Sequence, residues 1–251
     1  MHIHKLKGYI QNIYLVEYAH GLLLLDGCSQ ADVRRVTEFI EQKLQRPVSD
    51  LIALVVTHMH PDHAGGAHKL RELTGCRIFA HPKAARWYTG LGGRLAHIID
   101  IGLALWVAGR LGKPRKSIWY SAVLRPDELV KDYQSIPGFP EWQVLHTPGH
   151  TDHDLSLLHT PSQQVYIADL IVRVKNRYVP PYPVCHPNQY KRSLERIAAL
   201  KNATLYFAHA APAQLSDNEI QNVFALAPHE PKNHWRSTKS RIYRVLRLPL
   251  A

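Results

Sequence analysis

The stretch THMHPDHAGG, residues 57–66, places His58, His60, Asp62 and His63 within six positions directly after the apolar run LIALVV. Neutral imidazole and carboxylate are the ligands that divalent metal ions take from proteins. In an extended chain, side chains at i and i+2 share a side about 7 Å apart at Cα, so His58 and His60 can grip one ion together. Asp62 lies too far along a straight strand to join them. Pro61 and the helix start behind it bend the chain and return Asp62 and His63 toward the same place. Both cannot easily crowd onto the first ion, so a second ion beside it is the economical reading.

Two ions need more ligands, and other strand ends offer them. His150 stands in TPGHTD after the apolar WQVLH, Asp169 ends QQVYIAD, and His209 ends TLYFAH. Each breaks an apolar strand at its C-terminal end, where layered α/β folds expose their functional loops. Taken singly, each is an ordinary turn residue. Together they supply the missing ligands.

The elements that must hold these residues alternate between strand and helix. YIQNIYLVEY and LLLLDG read as strands joined by a turn at AHG, followed by a helix capped by Ser29 with Val33, Val36, Phe39, Ile40 and Leu44 at helical spacing. LIALVV is wholly apolar, as a strand covered on both faces is. A helix over about 66–73, a strand CRIFA, the four strands WQVLHT, LSLLHT, QQVYIADL and TLYFAH, and helices near 187–200 and 213–226 complete an α/β pattern in layers. Between them, residues 85–131 form a largely helical insertion. Its centre, LAHIIDIGLALWVAGRLG, is apolar around most of its circumference, with His97 and Asp100 on one narrow polar stripe. Such a helix needs cover: the body of the fold, a second copy of the chain in a homodimer, an apolar substrate beneath a cap, or a membrane surface.

Composition bounds the partners. With 251 residues and 45% hydrophobic side chains, the chain buries a substantial core. Cys28, Cys76 and Cys185 are too few and too scattered for a disulfide framework or a cysteine zinc site. The start MHIHKLKGYI lacks the apolar core of a secretory signal, and no run reaches the roughly 20 uncharged apolar residues of a membrane span, so a cytoplasmic location is expected. The net charge of +11 suits an anionic substrate, a membrane surface or nucleic acid. Much of it lies in a basic tail over 229–251, where Lys232, Arg236, Lys239, Arg241, Arg244 and Arg247 follow with no acid after Glu230. His2 and His4 repeat the His-x-His spacing but stand before the first expected strand with no carboxylate nearby, and no metal is expected there.

The order His-x-His-x-Asp-His, then Pro-Gly-His, a strand-end aspartate and a strand-end histidine resembles the metallo-β-lactamase superfamily, nearest in motif to its glyoxalase II-like hydrolases. The resemblance runs over about residues 8–210 and includes the opening hairpin with its Asp-Gly turn. It implies a four-layer αββα sandwich over 1–228 with the 85–131 cap inserted. It implies two divalent ions: His58, His60 and His150 on the first, Asp62, His63 and His209 on the second, and Asp169 between them. Zinc is the default metal, with iron or manganese as alternatives. Asp26 takes the place of an aspartate behind the site that orients a ligand. The implied reaction is attack of a metal-bridging hydroxide on an ester, thioester or lactone carbonyl, with Asp62 orienting the hydroxide and passing its proton on.

The resemblance does not name the substrate. An acyl or other apolar small molecule fits the insertion, with Trp106, His153, Tyr178 and Tyr182 as candidate pocket residues, the tyrosines lying in the Pro-rich loop NRYVPPYPVCHP. Alternative readings are a phosphodiesterase or nuclease of the same fold, with nucleic acid the less favoured partner, and a metal-containing binding or signalling protein. Lactonases of this fold tend to carry a tyrosine three residues after the bridging aspartate, where this chain has Val172. Glyoxalase II enzymes end in a helical domain that the tail KNHWRSTKSR does not match.

Overall fold

The computed structural model describes residues 1–232. Most of the basic tail therefore lies outside the described residues. Six strands form the first sheet in chain order: β1 (His2–Lys7), β2 (Asn12–Tyr18), β3 (Gly21–Leu24), β4 (Leu51–Val56), β5 (Arg77–Ala80) and β6 (Glu128–Leu129). The first three are antiparallel and the last four parallel. The second sheet uses β7 (Ser135–Ile136), β8 (Phe139–His146), β9 (Leu155–His159), β10 (Gln164–Tyr166) and, beyond a small hairpin of β11 (Val172–Val174) and β12 (Arg177–Val179), β13 (Thr204–Tyr206). Its order is β13-β10-β9-β8-β7, with β13 parallel to β10 and the other pairs antiparallel.

Side-chain alternation explains why the central strands are apolar on both faces. Leu22 and Leu24 of β3, with Leu54 and Val56 of β4, pack outward against helices α1 (Val33–Glu38) and α3 (Ala67–Thr74). Leu23, Leu25, Ala53, Val55 and Phe79 point the other way and meet Trp142, Val144, Leu155 and Leu157 of the second sheet. The far face of that sheet, through Leu145, Leu158, Val165 and Leu205, is covered by Tyr190, Leu194 and Ile197 of α5 (Pro187–Ala198) and by Val223 of α6 (Asp217–Leu226). Three apolar interfaces thus separate four layers in the order α, β, β, α. Each fully buried Leu, Val or Phe contributes roughly 1.5–3 kcal/mol of transfer free energy.

Two expectations are corrected. His2 and His4 do not precede the first strand but form part of it: β1 is a half-exposed edge strand, and His4 Nε2 lies 2.7 Å from Glu17 of β2. The His-Ile-His-Lys-Leu-Lys alternation is the period of such a strand. The segment 85–131 is helical mainly in α4 (Gly90–Arg110), after a short 3-10 turn at Ala84–Arg86. Residues 111–127 form neither helix nor strand, and β6 then extends the first sheet. By length and composition α4 is apolar enough to cross a membrane. Here it lies along the fold with His97, Ile101, Ala104 and Ala108 buried. The polar stripe is therefore the inner one.

Candidate metal centre

Every candidate ligand follows the C-terminal end of a strand. His58 and His60 come two and four residues after β4, His150 follows β8, Asp169 follows β10 and His209 follows β13. Pro61 occupies the first position of α2 (Pro61–Ala64), a single turn entered through extended backbone at His60. The turn swings Asp62 and His63 away from the strand line, so the pairs on its two sides separate as the spacing requires. The bend is held by contact as well as by Pro61. Gln11 Nε2 donates to the Asp62 carbonyl, and Gly27 admits the loop where a Cβ would stand 2.5 Å from the His63 carbonyl oxygen. Gly149, in the Pro-Gly-His turn, meets the same limit: a Cβ there would lie 2.5 Å from Tyr190 Cα.

The side chains gather in two groups, His58, His60, His150 and Asp169 in one and Asp62, His63 and His209 in the other, each with its ligand atoms within 4.8 Å of one another. In the first, His60 Nδ1 lies 3.1 Å from His58 Nε2 and 2.9 Å from His150 Nε2. In the second, His209 Nε2 is 3.3 Å from Asp62 Oδ2, and His63 Nε2 is 3.4 Å from the same oxygen. Asp169 faces both. Its Oδ2 is 3.8 Å from His58 Nε2 and 3.6 Å from His150 Nε2, while its Oδ1 is 3.2 Å from His209 Nε2 and 3.5 Å from His63 Nε2.

Each imidazole is oriented through its other nitrogen. Asp26 accepts from His63 Nδ1 at 2.6 Å, the Pro183 carbonyl from His150 Nδ1 at 2.6 Å, and the Ile10 carbonyl from His209 Nδ1 at 3.1 Å. Thr57 donates its hydroxyl proton to Asp26 at 2.7 Å, so its oxygen is free to accept from His58 Nδ1 at 3.2 Å. His60 is turned the other way, with Nδ1 in the cluster and Nε2 3.7 Å from Asp100 Oδ2. Such outer partners fix tautomer and ring plane, leaving the inward nitrogen with its lone pair. Asp26 also takes hydrogen bonds from Tyr166 Oη and the Thr57 and Gly27 amides, which immobilises it.

The electrostatics suit a cation. Burial, then the neighbouring imidazoles, push His58 and His60 well below the usual histidine range, so both rings are neutral at pH 7 and able to ligate. Burial works to raise Asp169, but His63 and His209 hold it well below the usual carboxylate range. Against the effect of burial, Asp169 and Asp62 lift His209 to about 10, and Asp62 and Asp26 lift His63 strongly. The carboxylates thus demand positive charge at the place where a divalent ion would supply it. His63 Nε2 and Asp169 Oδ1 are buried without a hydrogen-bond partner, and ring nitrogens of His58, His60 and His150 face one another about 3 Å apart. A metal ion between them satisfies these atoms, so the residues fit the ions that the motif implies.

All seven expected ligands come together, with Asp26 behind them. The remaining candidates do not share the site equally. His153 is fully buried behind the loop, where its Nε2 accepts from the Met59 amide at 3.2 Å. Tyr182 is half exposed and precedes Pro183, whose carbonyl orients His150. Tyr178 is not brought to the cluster: its ring stacks on Phe207 and lines a separate cleft with Asn176, Arg177, Glu219 and Asn222. Trp106 is not brought there either, because it lies on the outer face of α4 with Arg110 over its ring. Asp100, Thr57 and Tyr120, which donates to the Met59 carbonyl, were absent from the sequence-derived site. Thr57 had a local signal in standing next to His58, and Asp100 had one in the polar stripe of the apolar helix.

Known proteins carry the same frame. The family model of the metallo-beta-lactamase superfamily matches residues 6–209. The probable metallo-hydrolase YflN of Bacillus subtilis is 23% identical over 226 residues, 84% of each chain. The hydroxyacylglutathione hydrolase of Nitrobacter winogradskyi is 24% identical over 84% of this chain and 68% of its own. Among solved structures, a metallo-beta-lactamase family protein from Thermus thermophilus superposes with a TM-score of 0.63 at 21% identity over 94% of this chain and 78% of its own. The di-iron-bound form of TTHA1623 gives 0.60 at 21% identity, over 91% of this chain and 99% of its own. At such identity these structures speak for the fold alone.

Proposed function

This chain belongs to the metallo-β-lactamase superfamily and is a metal-dependent hydrolase, and on that footing we propose that it works with two divalent ions on the carbonyl of an ester, thioester or lactone. One observation carries the two-ion reading: Asp169 offers one carboxylate oxygen to each of the two imidazole groups. His58, His60 and His150 would hold the first ion, and Asp62, His63 and His209 the second. Zinc suits the imidazole-rich set, while the di-iron form of TTHA1623 makes iron the other candidate.

When bound, the ions lower the pKa of a water toward neutrality and polarise a carbonyl oxygen. The chain's own work is positional. Asp62 orients the attacking water, takes its proton and passes it to the leaving group. Asp26 and the Pro183 and Ile10 carbonyls accept from the Nδ1 atoms of His63, His150 and His209 and so aim their Nε2 atoms at the ions. The relative named as a hydroxyacylglutathione hydrolase acts, by that name, on an acyl compound, which favours carbonyl over phosphoryl chemistry.

The test joins elemental analysis of the purified protein to turnover of a panel: an acyl ester, an acyl thioester, a lactone and an activated phosphodiester. Two ions per chain and carbonyl hydrolysis abolished in His58→Ala are expected. One ion per chain would overturn the binuclear reading. Preference for the phosphodiester would make the protein a phosphodiesterase of this fold, and a metal-loaded protein inert to the whole panel would make it a binding protein.

A further inference from the structure

Helix α4 reverses the usual disposition of an amphipathic helix. Its buried side holds the polar pair His97 and Asp100, while Arg94 and Arg110 are exposed: His97 sits among the rings of Tyr88, Trp119 and Tyr120, and Asp100 accepts from Tyr88 Oη at 2.7 Å. Its outer face is apolar. At 100° per residue, Leu91, Leu95, Ile98, Gly102 and Trp106 fall on one stripe opposite His97 and Ala104. Leu91 is 93% exposed, Ile98 54% and Trp106 60%. A Cβ on Gly102 would meet only open space. The stripe follows the helix for roughly 20–30 Å and is succeeded by exposed Leu111 and Trp119. An open apolar band of this length marks an interaction surface.

The surroundings specify what it meets. Residues 83–125 contain eight lysines and arginines and one acid, Asp100, which is turned inward. Just beyond the C-terminal end of α4, Lys116 joins Lys5, Lys7, Arg34, Arg35 and Lys43 in lining a cleft of about 540 Å³. Its lining carboxylate, Glu38, is paired with Arg34 at 2.6 Å. Tyr9 ties the cleft to the helix: its hydroxyl donates to the Pro114 carbonyl at 2.8 Å, and Lys116 Nζ lies over its ring. Apolar band and cation cleft are thus joined by one short strap.

We propose that α4 and the adjoining cleft form a docking surface for an anionic phospholipid bilayer. The apolar stripe lies in the boundary between headgroups and acyl chains, and the cleft cations meet lipid phosphates. Trp106 and Trp119 are of the residue type that settles at this depth. A second copy of the chain fits less well, since pairing the helix with itself would bring together Arg94 and Arg110 of both copies without a carboxylate from this stretch. A nucleic acid would use the cleft but gain nothing from the Leu and Ile stripe. The buried inner face, with Asp100 against His60, lays the helix along the surface and does not let it cross.

The test is flotation of the metal-loaded full chain with vesicles of phosphatidylcholine alone or mixed with phosphatidylglycerol. Flotation is expected with the anionic vesicles, little with the neutral ones, and less at high salt. Leu95→Asp with Ile98→Asp should lower partitioning about 100-fold, roughly tenfold for each lost apolar contact. Lys7→Glu with Lys43→Glu should lower it at least about 25-fold, roughly fivefold for each cation. Turnover of a soluble ester should be unchanged in Leu95→Asp/Ile98→Asp. As a readout that needs no destabilising variant, anionic vesicles should shift the tryptophan emission of the wild type to the blue, and Trp106→Phe should reduce that shift. Absence of flotation would overturn the proposal. So would a wild-type dimer dissociated by Ile98→Asp without vesicle binding, or salt-sensitive capture of single-stranded RNA without it. Flotation does not depend on turnover, so its failure would leave the hydrolase reading intact.

Discussion

Five imidazoles of the metal centre are each oriented through the ring nitrogen that points away from it, by Thr57, Asp100, Asp26 and the carbonyls of Pro183 and Ile10. Among the described residues, the stripe from Leu91 to Trp106 on α4 stands open instead, its side chains fixed by nothing but the helix that bears them. In the first region the cost of burying polar groups has been met by outer partners, and what remains unsatisfied points at one place. In the second, apolar area that burial would stabilise is left in water. Both are incomplete surfaces. One lacks positive charge, the other an apolar neighbour.

The sharpest way to break the contrast is at the residue that joins the two imidazole groups. Asp169→Ala removes the oxygens facing both, taking from His209 the carboxylate that raises it most and leaving His63 with Asp62 and Asp26. Metal content should fall by at least one ion per chain. The kcat/KM for the preferred substrate should drop by more than the ~100-fold that bounds the loss of an outer partner. Full metal content and near-normal turnover would show that the two groups are independent. Asp26→Asn tests the outer ring itself: it keeps the shape but weakens the acceptor for His63 Nδ1 and for the Thr57 hydroxyl behind His58. A loss of ~10–100-fold in metal affinity or activity is expected, read by metal titration beside kcat/KM.

How much of this was legible in the sequence follows from the range over which each signal acts. Pro61 and the two pairs around it could be read locally, because a bend between strand and helix is a property of a few residues. His150, Asp169 and His209 were legible by a different route, since each interrupts an apolar strand, and the layered fold brings strand ends to one edge. The direction of α4 was not legible. A helix apolar on nearly all sides has no preferred inner face by periodicity, and the choice was made by Tyr88, Tyr120 and His60, which give His97 and Asp100 their surroundings. Trp106, placed in the pocket on sequence grounds, faces outward for the same reason. Tyr178 sits in the expected loop region, but β12 carries its ring onto Phe207.

Asp100 is where the two regions meet, and it gives a smaller effect. Its carboxylate is 3.7 Å from His60 Nε2, longer than a hydrogen bond, so its hold on the neutral ring is weak. Asp100→Asn, which retains a partner for Tyr88 Oη, should lower kcat/KM by about tenfold or less. Metal should still be bound, and vesicle flotation should match the wild type. A loss as deep as that of Asp169→Ala would mean that Asp100 itself ligates an ion.

The smallest expected effect is the most telling about the outer face. Ile98→Ser removes an apolar side chain that water already reaches, so its transfer term on folding is slight, and serine lowers helix propensity little relative to isoleucine. Stability in urea should change by no more than about 0.5 kcal/mol, with the midpoint the only shift and the slope unchanged. A destabilisation of several kcal/mol, as for truncation in a packed core, would mean that this stripe is covered in solution by the chain itself, and α4 would then differ from the metal centre in degree only. A null effect on stability beside a loss of vesicle binding would separate what the stripe does for the fold from what it does for a partner.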